Sequence, residues 1–165
     1  MKISPKLLAV IAVLLAAVIA VTWYMHSREI QDTDDRLSVM YDGNEVVSYS
    51  LSEIMDMKNI TVYADIKSAK AADEKGDYTG VRLDVLLKNA GVSDFETIIF
   101  TAGDGYSAAA DADETKEILV AYEKDGETLG YFTKGGTGPL RCVMLEDSYG
   151  NRSIKYLTEI NCIPE

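Results

Sequence analysis

Two basic residues near the C-terminus are the first candidates for chemistry. Arg152 and Lys155 follow a turn-forming segment that contains Gly150 and Asn151. An arginine can grip an oxyanion through two parallel hydrogen bonds, and a lysine adds a compact positive charge. The pair therefore predicts a site for a small anion. The alternative is that both cations pair with carboxylates of an acidic surface.

The two cysteines, Cys142 and Cys162, are the other candidates. They lie toward the outer ends of two apolar runs, 141–145 and 154–163, which we predict to pair as antiparallel strands around a turn at 147–151. A disulfide between them would close a loop of about 20 residues and contribute roughly 3 kcal/mol. The alternative is two free thiols packed as small hydrophobic groups. The chain has no CxxC motif, so a redox pair is not expected.

The charge of the chain argues against some classes of partner. The net charge is −11, and the first 28 residues contain no carboxylate, so the rest of the chain is strongly acidic. Nucleic acid is not expected as a partner, because proteins bind it largely by neutralising phosphates. Asp111, Asp113 and Glu114 form an acidic cluster. They lack the spacing of a calcium-binding loop, so no metal site is predicted.

An apolar segment near the N-terminus predicts a membrane anchor. Residues 7–21 contain no polar side chain, and Lys2 and Lys6 precede them. The alternative is a cleaved signal peptide with its cleavage site near Val18 and Ala20. We predict a cytoplasmic N-terminus at 1–6, a transmembrane signal-anchor helix at 7–24, a polar linker at 25–36, and a domain at 37–165 on the extracytoplasmic side of the cell membrane.

The residues after the linker predict an α+β domain rich in strands. Turn signals at Asp42–Asn44 and Asp125–Gly126 favour hairpins, and Ser50 with Glu53 has the spacing of a capping box. The predicted helices span 51–57 and 81–90, a helical turn spans 111–116, and a polar loop spans 67–77. The predicted strands span 37–41, 45–49, 60–66, 97–101, 118–122, 128–132, 141–145 and 154–163.

Four segments resemble, in order, the oxidoreductase molybdopterin-binding domain of the sulfite oxidase family. They read YTGVRLDVLLKNAGV, TIIFTAGDGYS, ILVAYEKDGETL and GPLRCVMLEDSYGNRSIKYLTEI. The resemblance implies a mixed α+β fold with helices at the edges of its strands. It also implies a molybdenum–pterin cofactor, which enzymes of that family hold through one cysteine thiolate.

The resemblance further indicates where a ligand would bind. A basic segment matches the family positions that hold the pterin and its phosphate, and a turn matches the substrate-side loop. Arg141 is interpreted as structural, tying a strand to a loop. The ligand-binding candidates are Arg152, Ser153, Lys155, Asp104, Tyr106 and Ser107.

The molybdenum ligand of that family has no counterpart at the expected position. In the family the cysteine follows the strand that corresponds to 60–66, and this chain has no cysteine in 60–80. Ala64, Asp65 and Ser68 lie near that position, and none of them supplies a soft thiolate. We therefore predict no metal site, no catalytic residue and no bound cofactor. Molybdopterin is the alternative that the resemblance implies.

These observations predict a membrane-anchored extracytoplasmic domain that binds a small anionic ligand or a membrane-associated partner protein without catalysing a reaction. The alternative is a molybdopterin-dependent oxidoreductase, or a subunit of one, that acts on a small oxo-substrate.

Overall fold

The computed structural model describes residues 36–68, 72–130, 138–147 and 149–165, together with Leu15, Val18 and Ile19. The strands in these ranges are β1 Arg36–Tyr41, β2 Asn44–Ser50, β3 Asn59–Ile66, β4 Glu74–Arg82, β5 Thr97–Ala102, β6 Ser107–Asp111, β7 Ile118–Lys124, β8 Glu127–Thr128, β9 Arg141–Met144 and β10 Leu157–Ile163. The helices are α1 Leu51–Met55 and α2 Leu83–Ala90, with 3-10 turns at Ala112–Glu117 and Gly150–Arg152.

The strands form two sheets. The first sheet has the order β2-β1-β10-β5-β6, and the second has the order β3-β4-β7-β8, with β9 also paired to β7. Strands β1 and β10 run parallel, whereas the other pairs in both sheets are antiparallel. The mixed, strand-rich α+β class predicted from the sequence is confirmed.

Local chemistry explains the first hairpin and the helix after it. Asp42 and Gly43 have φ angles of 49° and 74°, which suit a tight two-residue turn between β1 and β2. The Ser50 hydroxyl accepts a hydrogen bond from the Glu53 amide at 3.3 Å, and the Ser50 amide donates to the Glu53 carboxylate at 2.7 Å. Both features are confirmed as predicted, and helix α1 begins directly after the capping residue.

Two strands differ from the sequence prediction. Strand β4 occupies residues predicted to be a polar loop and the start of a helix, because it is hydrogen-bonded to β3 on one edge and to β7 on the other. Gly80 allows close pairing with β7, since an added Cβ would lie 2.3 Å from the Val120 carbonyl oxygen. The alanine-rich run forms β6, which pairs with β5 at the edge of the first sheet.

The predicted pairing of 141–145 with 154–163 is wrong. Strand β9 pairs with β7 in the second sheet, whereas β10 lies between β1 and β5 in the first. The two runs are joined where the chain crosses between the sheets, through a bridge between Arg141 and Lys155 and a 2.8 Å hydrogen bond from the Cys142 amide to the Ile154 carbonyl. Each run is apolar because each contributes to the main core from its own sheet.

The main hydrophobic core joins both sheets to helix α2. Phe100 and Ile160 from the first sheet, Val120 from the second, and Leu83 and Leu86 from the helix are fully buried in it. Burying a side chain of this size stabilises the fold by about 1.5–3 kcal/mol. A smaller cluster contains other residues of the second sheet: Ala64, Ile66, Tyr78, Leu119, Ala121 and Val143.

Some predictions fall outside the described residues. The predicted transmembrane helix at 7–24 is described only at Leu15, Val18 and Ile19. Within the part of the chain that the structure describes, no helix is long and apolar enough to cross a bilayer. The second predicted hairpin is present between β7 and β8, and the end of its predicted second strand, from 131 onward, also lies outside.

Candidate functional site

A cavity of about 390 Å³ opens where the end of β3, the start of β4 and the crossing between β9 and β10 meet. A slightly larger hollow beside α2 has two charged residues, Asp84 and Lys88, in its described lining, fewer than the first cavity has. The described residues that line it are Ile66, Lys67, Ser68, Glu74, Tyr106, Arg141, Gly150, Asn151, Ser153 and Lys155.

The side chain of Arg141 is the most buried charge of this cavity, since the residue is only 2% exposed. Its Nη1 donates to the Glu74 carboxylate and, at 3.3 Å, to the Tyr78 hydroxyl, and its guanidinium lies 5.6 Å from the centre of the Tyr78 ring. Within the described structure, Arg141 Nε is buried without a hydrogen-bond partner. A buried guanidinium is stable only if an anion neutralises it and its donors are satisfied.

Glu74 provides that negative charge. One of its carboxylate oxygens accepts from Arg141 and the other from Lys155, so a single carboxylate bridges two cations. Burial on its own would raise the pKa of Glu74, but the hydrogen bonds from Arg141 and Lys155 outweigh it and lower that pKa to about 2. The carboxylate therefore stays ionised throughout the neutral range.

Three of the residues predicted from the sequence line this cavity. Lys155 binds Glu74, and the Ser153 hydroxyl accepts a hydrogen bond from the Met144 amide at 3.0 Å. The Tyr106 hydroxyl donates to the Asn151 carbonyl at 2.7 Å, which fixes the loop before β6 to the turn before Ser153.

Arg152, the leading candidate in the sequence, is not among the described residues that line the cavity. Its guanidinium donates two hydrogen bonds to Glu114, at 2.8 and 2.9 Å, and binds Asp147 as well. These hydrogen bonds raise the pKa of Arg152, the Glu114 contact being the larger cause. The structure thus agrees with the alternative interpretation, in which Arg152 pairs with carboxylates of the surface.

Asp104 and Ser107 also lie elsewhere. The Asp104 carboxylate accepts a hydrogen bond from the Tyr106 amide at 3.0 Å, which is ordinary turn chemistry. The Ser107 hydroxyl donates to the Thr101 hydroxyl at 3.4 Å across the β5–β6 pair. Neither residue belongs to the cavity wall as described.

The sequence prediction missed Glu74 and assigned Arg141 only a structural role. Glu74 stands in an acidic segment where several carboxylates look alike, and only the fold shows that it lies beside Arg141. The useful signal was Arg141 itself, a charged residue that opens an otherwise apolar strand of which every residue is buried. Such a residue needs a partner supplied by another strand.

The charges on the wall are positive in sum. Lys67, Arg141 and Lys155 carry three positive charges against one on Glu74, in a chain whose net charge is −11. Lys67 is itself paired with Asp65 at 2.9 Å and Asp73 at 3.1 Å, and these contacts raise its pKa. Since Asp65 and Asp73 neutralise Lys67, the positive charge of the wall comes from Arg141 and Lys155, which share the one carboxylate of Glu74.

Both cysteines are free and buried, one in β9 and the other in β10. Of the two alternatives that the sequence left open, a disulfide or two packed free thiols, the structure has the second, and the two strands belong to different sheets. Burial raises the pKa of Cys142 and of Cys162 to about 12, so both are thiols rather than thiolates. Neither belongs to the described wall of the cavity.

Comparison with known proteins gives the family. The family model of the oxidoreductase molybdopterin binding domain matches residues 25–165. The chain belongs to this family. The resemblance carried by the four sequence segments is therefore confirmed. No curated protein matches the chain.

The fold of this molybdopterin-binding-type domain is shared with a solved structure, the sulfane dehydrogenase SoxCD from Paracoccus pantotrophus. The TM-score is 0.68 at 17% sequence identity, and the match covers 81% of this chain. The chain spans 39% of the length of that SoxCD chain. At this identity the likeness shows the fold alone.

The donor atoms of the domain do not fit a thiolate-ligated molybdenum centre. Neither of its two cysteines, the only ones in the sequence, lines the described cavity wall, and burial raises the pKa of both thiols. At the end of β3, the wall offers the amine of Lys67 and the hydroxyl of Ser68 instead. The described ranges contain no cluster of three or more His, Cys, Asp or Glu residues that could hold a metal ion.

The state of the cysteines is directly testable. We expect a neutral disulfide reagent to modify almost no thiol in the native protein within minutes, and to modify two per chain after unfolding without reductant, because both groups are buried and free. The measurement is the absorbance of the released chromophore. Fast modification of the native protein, or fewer than two thiols in the unfolded chain, would contradict the structure.

The Glu74 ion pairs predict a pH-dependent stability. Because the folded pKa of about 2 lies below the ordinary value of 4.5, the unfolded chain binds the extra proton between these pH values. The stabilising contribution of Glu74 is therefore present above about pH 4.5 and is lost as the pH falls toward 2. As the pH falls from 4.5 toward 2, the free energy of unfolding should decrease less steeply in Glu74→Gln than in the wild type. The two slopes against pH should differ by the equivalent of at most about one bound proton.

The measurement is urea unfolding at a series of pH values. The exposed Glu127 provides a matched control, because Glu127→Gln removes a carboxylate that has no ion pair among those described in the structure. Identical pH slopes for the wild-type protein and Glu74→Gln would show that the Glu74 carboxylate is not held by its two cations.

Proposed function

We propose that this domain binds a small anionic ligand in the cavity at Arg141 and Lys155 and does not itself catalyse a reaction. One observation carries the proposal: Arg141, a residue that is only 2% exposed, lies on the wall of an open cavity, and its Nε has no partner among the described residues. An anion bound beside Arg141 would meet a guanidinium whose hydrogen-bonding capacity the described protein groups do not fill.

The charge and the neutral donors of the wall support an anion over a neutral ligand. The cations exceed the single carboxylate, and Asn151 and Tyr106 add polar groups beside them. Hydrogen bonds to ionised partners are roughly twice as strong as neutral ones, and they strengthen further in a site that excludes water. A ligand with one or two anionic oxygens suits these donors.

The absence of a catalytic role is also a proposal. Redox chemistry at molybdenum uses a thiolate ligand in the resembled family, and both thiols of this chain are kept protonated by burial. Glu74 is a poor proton donor or acceptor at neutral pH, because two cations hold it ionised. Membership of the family favours the alternative function, a molybdopterin-dependent oxidoreductase or a subunit of one, and the experiment below separates the two.

We also propose that residues 7–24 anchor the domain in the cell membrane, with the domain on the extracytoplasmic side. The apolar run and the lysines before it support this assignment. In that setting a membrane-associated partner protein is the second candidate for what the domain binds.

The test uses the full chain produced in a host that makes molybdopterin. We expect no stoichiometric molybdenum in the purified protein and no fluorescent pterin after denaturation. Calorimetric titration with sulfate, phosphate and acetate should detect binding of at least one of them. Lys155→Met should weaken that binding about tenfold or more, since it removes one charged donor from a half-exposed position without unpacking the core.

A control variant sharpens the result. Lys88→Met removes an exposed lysine beside the other hollow, and it should leave the affinity within about twofold. Bound molybdenum would favour the oxidoreductase instead. A wild-type protein that binds none of the three anions would overturn the ligand proposal and leave the partner protein.

A further inference from the structure

The Glu74 side chain does in this cavity what a bound carboxylate would do. Its two oxygens are shared between Arg141 and Lys155, one oxygen to each cation. This arrangement indicates which kind of group fits between the two cations: a planar anion with two oxygens at the spacing of a carboxylate. The wall already contains one such group, and it comes from the chain itself.

Of the two partners, Glu74 is the one that can move. Arg141 is 2% exposed, is held in the β9–β7 pairing opposite Ala121 and has Tyr78 beneath its guanidinium. Glu74 is the first residue of β4, and its side chain is 33% exposed. A rotation about its side-chain bonds would carry the carboxylate into solvent, where an ionised group is well hydrated.

Charge neutrality decides what can take its place. If Glu74 turns outward, Arg141 keeps a buried positive charge that is expensive to leave unpaired. An incoming carboxylate restores the pairing, whereas a neutral molecule of the same shape does not. The exchange should therefore discriminate strongly between a carboxylate and its amide analogue.

We propose that Glu74 is a displaceable internal carboxylate that occupies the anion site in the ligand-free domain, and that the ligand is a small carboxylate that binds Arg141 and Lys155 by replacing it. This inference rests on the proposed function and identifies its ligand class. It also makes Glu74 an internal competitor, because each binding event must first break the two ion pairs that Glu74 makes.

The test compares acetate with acetamide on three proteins: the wild type, Glu74→Ala and Glu74→Gln. Binding is followed by amide chemical shifts and by Tm at constant ionic strength, with chloride as the balancing salt. We expect acetate to bind Glu74→Ala at least about tenfold more tightly than the wild type, since the competitor is gone. Acetate should also raise the Tm of this variant, and acetamide should do neither.

Glu74→Gln covers the case in which Glu74→Ala does not fold. The glutamine keeps the shape and one acceptor but removes the charge, so its affinity for acetate should also rise above that of the wild type. Glu127→Ala is the matched control, an exposed carboxylate in β8 whose loss should leave the acetate affinity unchanged.

Equal or weaker acetate binding in both Glu74 variants would overturn the inference, and so would acetamide binding as tightly as acetate. Tight acetate binding by the variants together with no anion binding by the wild type would contradict the proposed function but support displacement. Binding of an anion by the wild type with no change in the variants would support the proposed function and reject the displacement.

Discussion

Neutralising one buried guanidinium is the constraint on which this part of the domain depends. Arg141 opens a strand whose residues are all buried, and its positive charge cannot be hydrated there. Strand β4 supplies two residues that contact the guanidinium, Glu74 and Tyr78. They are four positions apart in the same strand and so project from the same face, one as the counter-charge and one as an aromatic surface with a hydroxyl acceptor.

The second cation reaches this place because the chain crosses from one sheet to the other. The crossing brings Lys155 into a β-bridge with Arg141. Two contacts hold the segment that precedes Lys155, one at Gly150 and one at Arg152. The Gly150 amide donates to the Lys67 carbonyl at 2.8 Å, where an added Cβ would lie 2.3 Å from an Ile66 methyl group. Arg152 then holds the following turn to Glu114. Arg152 thus positions the segment that carries Ser153 and Lys155. This explains why the sequence pattern around Arg152 pointed to a segment that lines the cavity.

The sequence predicted what local chemistry determines. The first hairpin and the capping box at Ser50 both follow from a few neighbouring residues. Strands β4 and β6 could not be predicted in that way, since their polar or alanine-rich sequences become strands only through pairing with neighbours. The partner of β9 is likewise decided by tertiary packing, and the antiparallel pairing with 154–163 was the simplest local choice.

The same distinction applies to the site. Lys155, Ser153 and Tyr106 were predicted because they lie in segments that resemble the ligand-binding positions of the family, whereas Glu74 is separated from Arg141 by 67 positions in the chain. The central interaction of the site is the Glu74 carboxylate held as the counter-ion of Arg141. Titration of its side-chain carboxyl carbon by NMR, assigned by comparison with Glu74→Gln, tests this most directly. We expect a midpoint near the pKa of about 2, and a midpoint near the ordinary 4.5 would contradict it.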